Sequence, residues 1–161
     1  DQMKQQSWTS EAYVWTSFTI GGKISKEAYV ELLTLVDEYI DEGDDPLADW
    51  NGPFGVVNPV AYMGKFPGLE EFCQEHELSY IRCAGGEVNF TPEIVFWVPG
   101  MEEPFGYDTN VEGSPMVEAT DVRWLLEHGK ERGIAYIFSR LTYLSQEVPK
   151  LPPFEIEGVP R

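Results

Sequence analysis

Basic residues are scarce in this chain. Eleven Lys and Arg stand against 28 Asp and Glu, for a formal net charge of −17 at pH 7. So acidic a protein repels phosphate, which argues against direct binding of DNA or RNA and against an anionic membrane surface. No apolar run approaches the roughly 18 residues that a transmembrane helix needs. The first ten residues, DQMKQQSWTS, contain no apolar signal-type segment. Cysteine is almost absent, and Cys73 and Cys83 alone make no disulfide framework. These absences together predict a cytoplasmic location with both thiols reduced.

Motifs that carry chemistry are equally scarce. The densest acidic stretch, VDEYIDEGDDPLADW (Val36 to Trp50), is not an EF-hand loop: counting from Asp41, Gly43 takes the third place and Pro46 the sixth. Cys73, His76 and Cys83 supply three zinc-type donors, but the second half-site of a structural zinc motif is missing. There is no G-x-S-x-G, and His76 has no partner for H-E-x-x-H. Gly21-Gly22-Lys23 lacks the upstream glycine of a phosphate loop, and Ile24 follows the lysine. With 28 acids, paired carboxylates carry no signal. The sequence therefore predicts no enzyme, no cofactor and no bound metal.

What the chain does contain is a core. Hydrophobic residues are 42% of the sequence and aromatics 14%, ample for a folded protein. The length of 161 residues suits one domain. Glu11 to Ile20 reads as a strand with apolar groups on both faces, ended by a turn at Gly21-Gly22. Ser25 caps an amphipathic helix over residues 26–40, with Tyr29, Leu32, Leu33, Val36 and Ile40 facing inward. Residues 43–55 read as a loop. Residues 56–63 read as a strand that Pro59 confines to an edge or a bulge. A short helix over residues 68–78 and two strands, SYIRC and EIVFWVP, follow. Residues 99–118 read as a turn-rich excursion, helices follow near 120–128 and 134–146, and the proline-rich tail is extended. The expected fold is α+β: a small mixed or antiparallel sheet of about four strands with two to four helices, the first strongly acidic.

The charge is unevenly placed. Residues 1–118 hold 22 acids against five bases, which accounts for the whole of the −17, whereas residues 119–161 hold six of each. At 100° per residue, Glu27, Glu31, Glu38, Asp41 and Glu42 fall near one helical face, and Glu27 to Asp41 spans roughly 21 Å. That density approaches one strand of duplex DNA, with a charge about every 3.4 Å. A solvated face ordinarily mixes signs. Here Glu27–Glu31, Asp37–Asp41, Glu38–Glu42 and Glu71–Glu75 are like pairs at i,i+4, each destabilising by a few tenths of a kcal/mol or about that. Trp50 and Phe54 stand beside the acids, as do Met101, Phe105 and Tyr107 further on; they read equally as contact anchors or as caps on the core.

The segment GKFPGLEEFCQEHELSYIRCAGGEVNFTPEIVFWVPGM, residues 64–101, resembles short proteins of plasmid and phage accessory regions. The resemblance rests on Phe-Pro-x-Leu-Glu-x-Phe-Cys, the His-x-Leu turn and the closing Trp-Val-Pro-Gly-Met. It covers about a quarter of the chain and brings no activity or functional residue. It implies a context in which small acidic inhibitors of host defence occur, including anti-restriction and anti-CRISPR proteins that resemble DNA in charge.

The function expected from all this is an acidic, DNA-mimicking inhibitor that occupies the basic nucleic-acid site of a defence protein. The partner-binding residues would be Glu27, Glu31, Glu38, Asp41, Glu42, Asp44, Asp45, Asp49, Trp50 and Phe54. Residues 119–161 would supply core or a homodimer surface. The rivals are an immunity protein against a basic nuclease toxin, a small enzyme without a recognisable motif, and a phage structural component. A mimic predicts carboxylates splayed on a convex face; an enzyme predicts them converging in a cleft.

Overall fold

The protein is described here from a computed structural model, which covers residues 12–40, 52–86 and 90–160. Its centre is β1 (Tyr13–Ile24), a strand made by alternation. Val14, Thr16, Phe18 and Ile20 are wholly buried on one side, while Tyr13 and Trp15 are 55% and 46% exposed on the other. The expectation of a strand covered on both faces is thus corrected at its N-terminal end. Nor does the chain turn at Gly21-Gly22. β1 continues to Ile24, and a Cβ on Gly21 would collide with the Pro152 carbonyl, so this glycine serves close backbone approach rather than reversal.

Around β1 lie β2 (Phe54–Tyr62), β3 (Ser79–Ala84), β4 (Glu93–Trp97), β5 (Phe105–Thr109) and β6 (Pro115–Met116). The sheet order is β2-β1-β3-β4-β5-β6, antiparallel along that path, with β7 (Phe154–Ile156) added in parallel to β1. The α+β class holds, but among the described residues the sheet has seven strands rather than about four. Two of the additional strands, β5 and β6, come from the stretch read as a turn-rich excursion, and β7 comes from the tail. Pro59 sits on the edge strand where the β1–β2 register shifts, since Val14 pairs with Ala61 but Thr16 with Asn58.

Helix α1 (Lys26–Val36) starts where Ser25 Oγ accepts from the Ala28 N–H at 3.1 Å. Its inner row is Ala28, Leu32 and Val36, and it gives way to a 3₁₀ turn over Asp37–Tyr39 instead of running to Ile40. Helix α2 (Leu69–Glu75) turns Leu69, Phe72 and Cys73 inward. Both pack on the Val14–Ile20 face. There Phe18 stacks on Tyr80 at 5.0 Å and meets Phe66 edge-on at 5.7 Å.

Helices α3 (Ala119–Arg132) and α4 (Ile134–Leu144) follow the sheet. They meet its far side through Tyr143 on Phe105 at 5.1 Å and the Tyr107 hydroxyl, which donates to the Gln146 carbonyl at 2.6 Å. The tail then passes Gly21 to form β7, where Phe154 enters the core against Phe54 at 5.2 Å. Among the described residues no helix is long and apolar enough to cross a membrane.

Candidate functional site

Because Ala28, Leu32 and Val36 face the core, helical phase leaves Glu27 and Glu31 in solvent. Glu31 Oε2 lies 3.8 Å from His76 Nε2, and the His76 ring packs on Phe72 at 4.4 Å, which brings α1 beside the end of α2. The 3₁₀ turn advances each residue by about 120° rather than 100°. It presents Glu38 and Tyr39 to a different neighbourhood from Glu27.

That neighbourhood is an open cavity of about 760 Å³. Four carboxylates line it from three elements: Glu38 from the 3₁₀ turn, Glu70 and Glu71 from α2, and Glu93 from β4. Among the described residues the aromatic lining is Tyr13, Tyr39, Tyr62, Phe66 and Phe90, with Met63 and one basic residue, Lys65. Tyr13 and Tyr62 contact at 5.6 Å, and Tyr39 stands edge-on to Phe66 at 4.9 Å. Burial pushes the Tyr39 phenol up to about 12, helped by a hydrogen bond to Glu38 and by its charge.

Below two of the carboxylates lies Arg82, a buried cation on the core face of β3. Its Nη1 donates to the Gly64 carbonyl at 2.7 Å and to Glu93 Oε1 at 2.8 Å, and its Nε to Glu70 Oε1 at 3.4 Å. One guanidinium thus ties β3 to α2, β4 and the turn after β2. Glu70 and Glu93 are held as its counterions, whereas Glu38 and Glu71 face the cavity from outside that network. Aromatic faces and carboxylates around one concavity suit an organic cation, above all a guanidinium, which stacks on rings and pairs with carboxylates.

No family model, curated protein or solved structure matches the chain.

The residues expected from sequence are distributed unequally. Glu27, Glu31 and Glu38 are exposed, and only Glu38 lines the cavity. Phe54 is corrected: it is wholly buried in β2, not a surface anchor, because it opens the inward-facing row continued by Val56. Asp41, Glu42, Asp44, Asp45, Asp49 and Trp50 lie outside the described residues. Met101 packs against the core, whereas Phe105 and Tyr107 lie on the far side of the sheet against Tyr143 and Gln146. The Met101 carbonyl accepts from Trp97 Nε1 at 3.0 Å, and Tyr107 is buried in β5.

Arg82, Glu93, Tyr39, Tyr62 and Phe90 were not singled out by sequence. The readable signal was Arg82 itself, a lone base between Tyr80 and Ala84 on the inward phase of a strand. Among the described residues no three His, Cys, Asp or Glu side chains group to hold a metal. Cys73 is wholly buried on the α2 side, with its thiol pushed up by burial and then by Glu70, while Cys83 lies on the alternate phase of β3.

Proposed function

We propose that this chain is an acidic protein-binding inhibitor that occupies the basic nucleic-acid site of its target. In this reading it is a DNA-mimicking anti-defence protein of the anti-CRISPR or anti-restriction kind. The observation that carries the reading is the cavity where Glu38 and Glu71 stand among aromatic rings, beside an exposed acidic α1, on the part of the chain that bears all the net charge. A nucleic-acid site is rich in Arg and Lys, so the cavity serves as a socket for one such side chain while Glu27 and Glu31 meet its neighbours. The carboxylates are neither wholly splayed nor wholly convergent. Two of the converging four are engaged by Arg82, which favours a binding socket over an acid–base pair.

The test is capture from cells carrying restriction, CRISPR or nuclease-toxin systems, at low and at high salt. Retention of a nucleic-acid-handling protein that is released by salt, and competes with its DNA or RNA, supports the reading. Retention of none at low salt sinks it. Capture of a toxin nuclease alone would make the chain an immunity protein instead. Charge reversal of Glu31 and Glu38 to Lys should abolish capture.

A further inference from the structure

Helices α3 and α4 are joined by the single residue Gly133, at φ +89°. They close on each other at Gly129, where a Cβ would collide with the Ile137 side chain. Helix α4 has no buried residue at all. Yet its apolar positions Ile134, Ile137, Phe138, Leu141 and Leu144 recur at the three-and-four spacing of a packing seam. Ile137 is taken up by α3. Ile134, Phe138 and Leu141 remain 72%, 66% and 41% exposed, and the anchorage of this helical pair through Tyr143 and Gln146 does not cover them.

Three observations select the occupant. First, residues 119–161 carry six acids and six bases, whereas the rest of the chain carries the whole −17. Two copies repel each other through any other broad face, and here they do not. A basic partner, which the acidic portion attracts, gains nothing from a neutral one. Second, the stripe is self-complementary. Ile134 and Leu141 stand on either side of a midpoint at Ile137–Phe138. Antiparallel pairing of α4 about a two-fold axis sets Ile134 of one copy beside Leu141 of the other, and Phe138 beside its own mate. Third, the three side chains expose roughly 350 Å² of apolar surface, taking about 200 Å² for a large side chain. A standard interface buries about 800 Å² per partner, little more than half of it apolar, so the stripe supplies most of such a core.

We infer that α4 is the interface of a two-fold homodimer, which holds the two acidic portions apart and facing outward. This rests on the exposed face of α4 and the distribution of charge along the chain, and it stands or falls separately from the proposed inhibitory function.

The experiment is light scattering or sedimentation of the full chain from low to high micromolar concentration, at low and at molar salt. The expected mass is twice 18.3 kDa, retained or strengthened at high salt because screening removes repulsion between the acidic portions. Phe138→Glu should give a monomer with an unchanged far-ultraviolet spectrum, while Glu31→Gln should remain dimeric. Phe138→Cys should cross-link to its mate under mild oxidation, and Val30→Cys, exposed on α1, should not. A wild-type monomer throughout this range overturns the inference. So does a dimer that survives Phe138→Glu and fails to cross-link at Cys in place of Phe138.

Discussion

Arg82 Nη1 donates to Glu93 Oε1 at 2.8 Å from a side chain that is 5% exposed. In a chain with so few bases, this one is held inside, between two carboxylates and a backbone carbonyl. Removing it leaves Glu70 and Glu93 facing each other with no counterion and orphans the Gly64 carbonyl. Arg82→Met is expected to destabilise the fold by about 3 kcal/mol, lowering Tm by roughly 6–12 °C. Arg82→Lys, a point charge without the fork, should recover only part of that. Thermal unfolding followed by circular dichroism decides it. A change under about 1 kcal/mol would mean that the network is too hydrated to matter.

The tail is a second stitch. Phe154 packs on Phe54 and Tyr29 and places β7 against β1. Phe154→Ala should cost about 3–4 kcal/mol in denaturant unfolding, as for any large buried aromatic. Gly21→Ala should cost at least about 2 kcal/mol, because its methyl meets the Pro152 carbonyl. Gly21 is not in the left-handed region, unlike Gly22 at φ +120°, so the cost at Gly21 comes from the collision with the tail rather than from backbone strain.

Helix α1 was legible because two independent signals agree there: the Ser25 cap and a 3.6-residue apolar period ending at Val36. Of the expected inward residues, Leu32 and Val36 are fully buried and Tyr29 and Ile40 pack at the margin of the core, while Ala28 joins the buried row unforeseen. Strands β3 and β4 were legible from β-branched and aromatic runs. β5 was not, because Gly106 and Asp108 on its outer phase look like turn residues, although Phe105 and Tyr107 alternate with them. β7 was hidden by prolines on its N-terminal side, and only Phe154 marks it as core.

The site divides along the same line. Exposure of Glu27, Glu31 and Glu38 follows from helical phase. The meeting of Glu38 with Glu71 and Glu93 does not, since it requires the β3–β4 pairing and the position of α2, which no local pattern encodes.

If the cavity receives a guanidinium, neutralising the carboxylates outside the Arg82 network should weaken a cationic ligand more than neutralising a distant one. Glu38→Gln and Glu71→Gln should each reduce binding of an arginine-rich peptide by about 1 kcal/mol, roughly five-fold. Glu27→Gln, exposed on α1 and outside the cavity lining, should change it less. Titration calorimetry at two salt concentrations measures both effects. Equal losses at all three positions would indicate a diffuse field with no socket.

Tyr39 gives the cleft a signature in alkali. Its phenol ordinarily ionises near pH 10 in an unfolded chain and is raised to about 12 here, first by burial and then by Glu38. Between those values the native state holds a proton that the unfolded state has lost. Stability from this group is therefore complete below pH 10 and declines as pH rises towards 12. Tyr39→Phe keeps the ring against Phe66 and removes the ionisation, so it should lose less stability over that interval than the wild type. The difference between the two curves isolates Tyr39 from Tyr80 and Tyr107, which are also raised by burial. Glu38→Gln should lower the Tyr39 value only in part, because burial is the larger cause. A full return to the ordinary value in that variant would show that the Glu38 charge, not the packing against Phe66, controls this wall of the cavity.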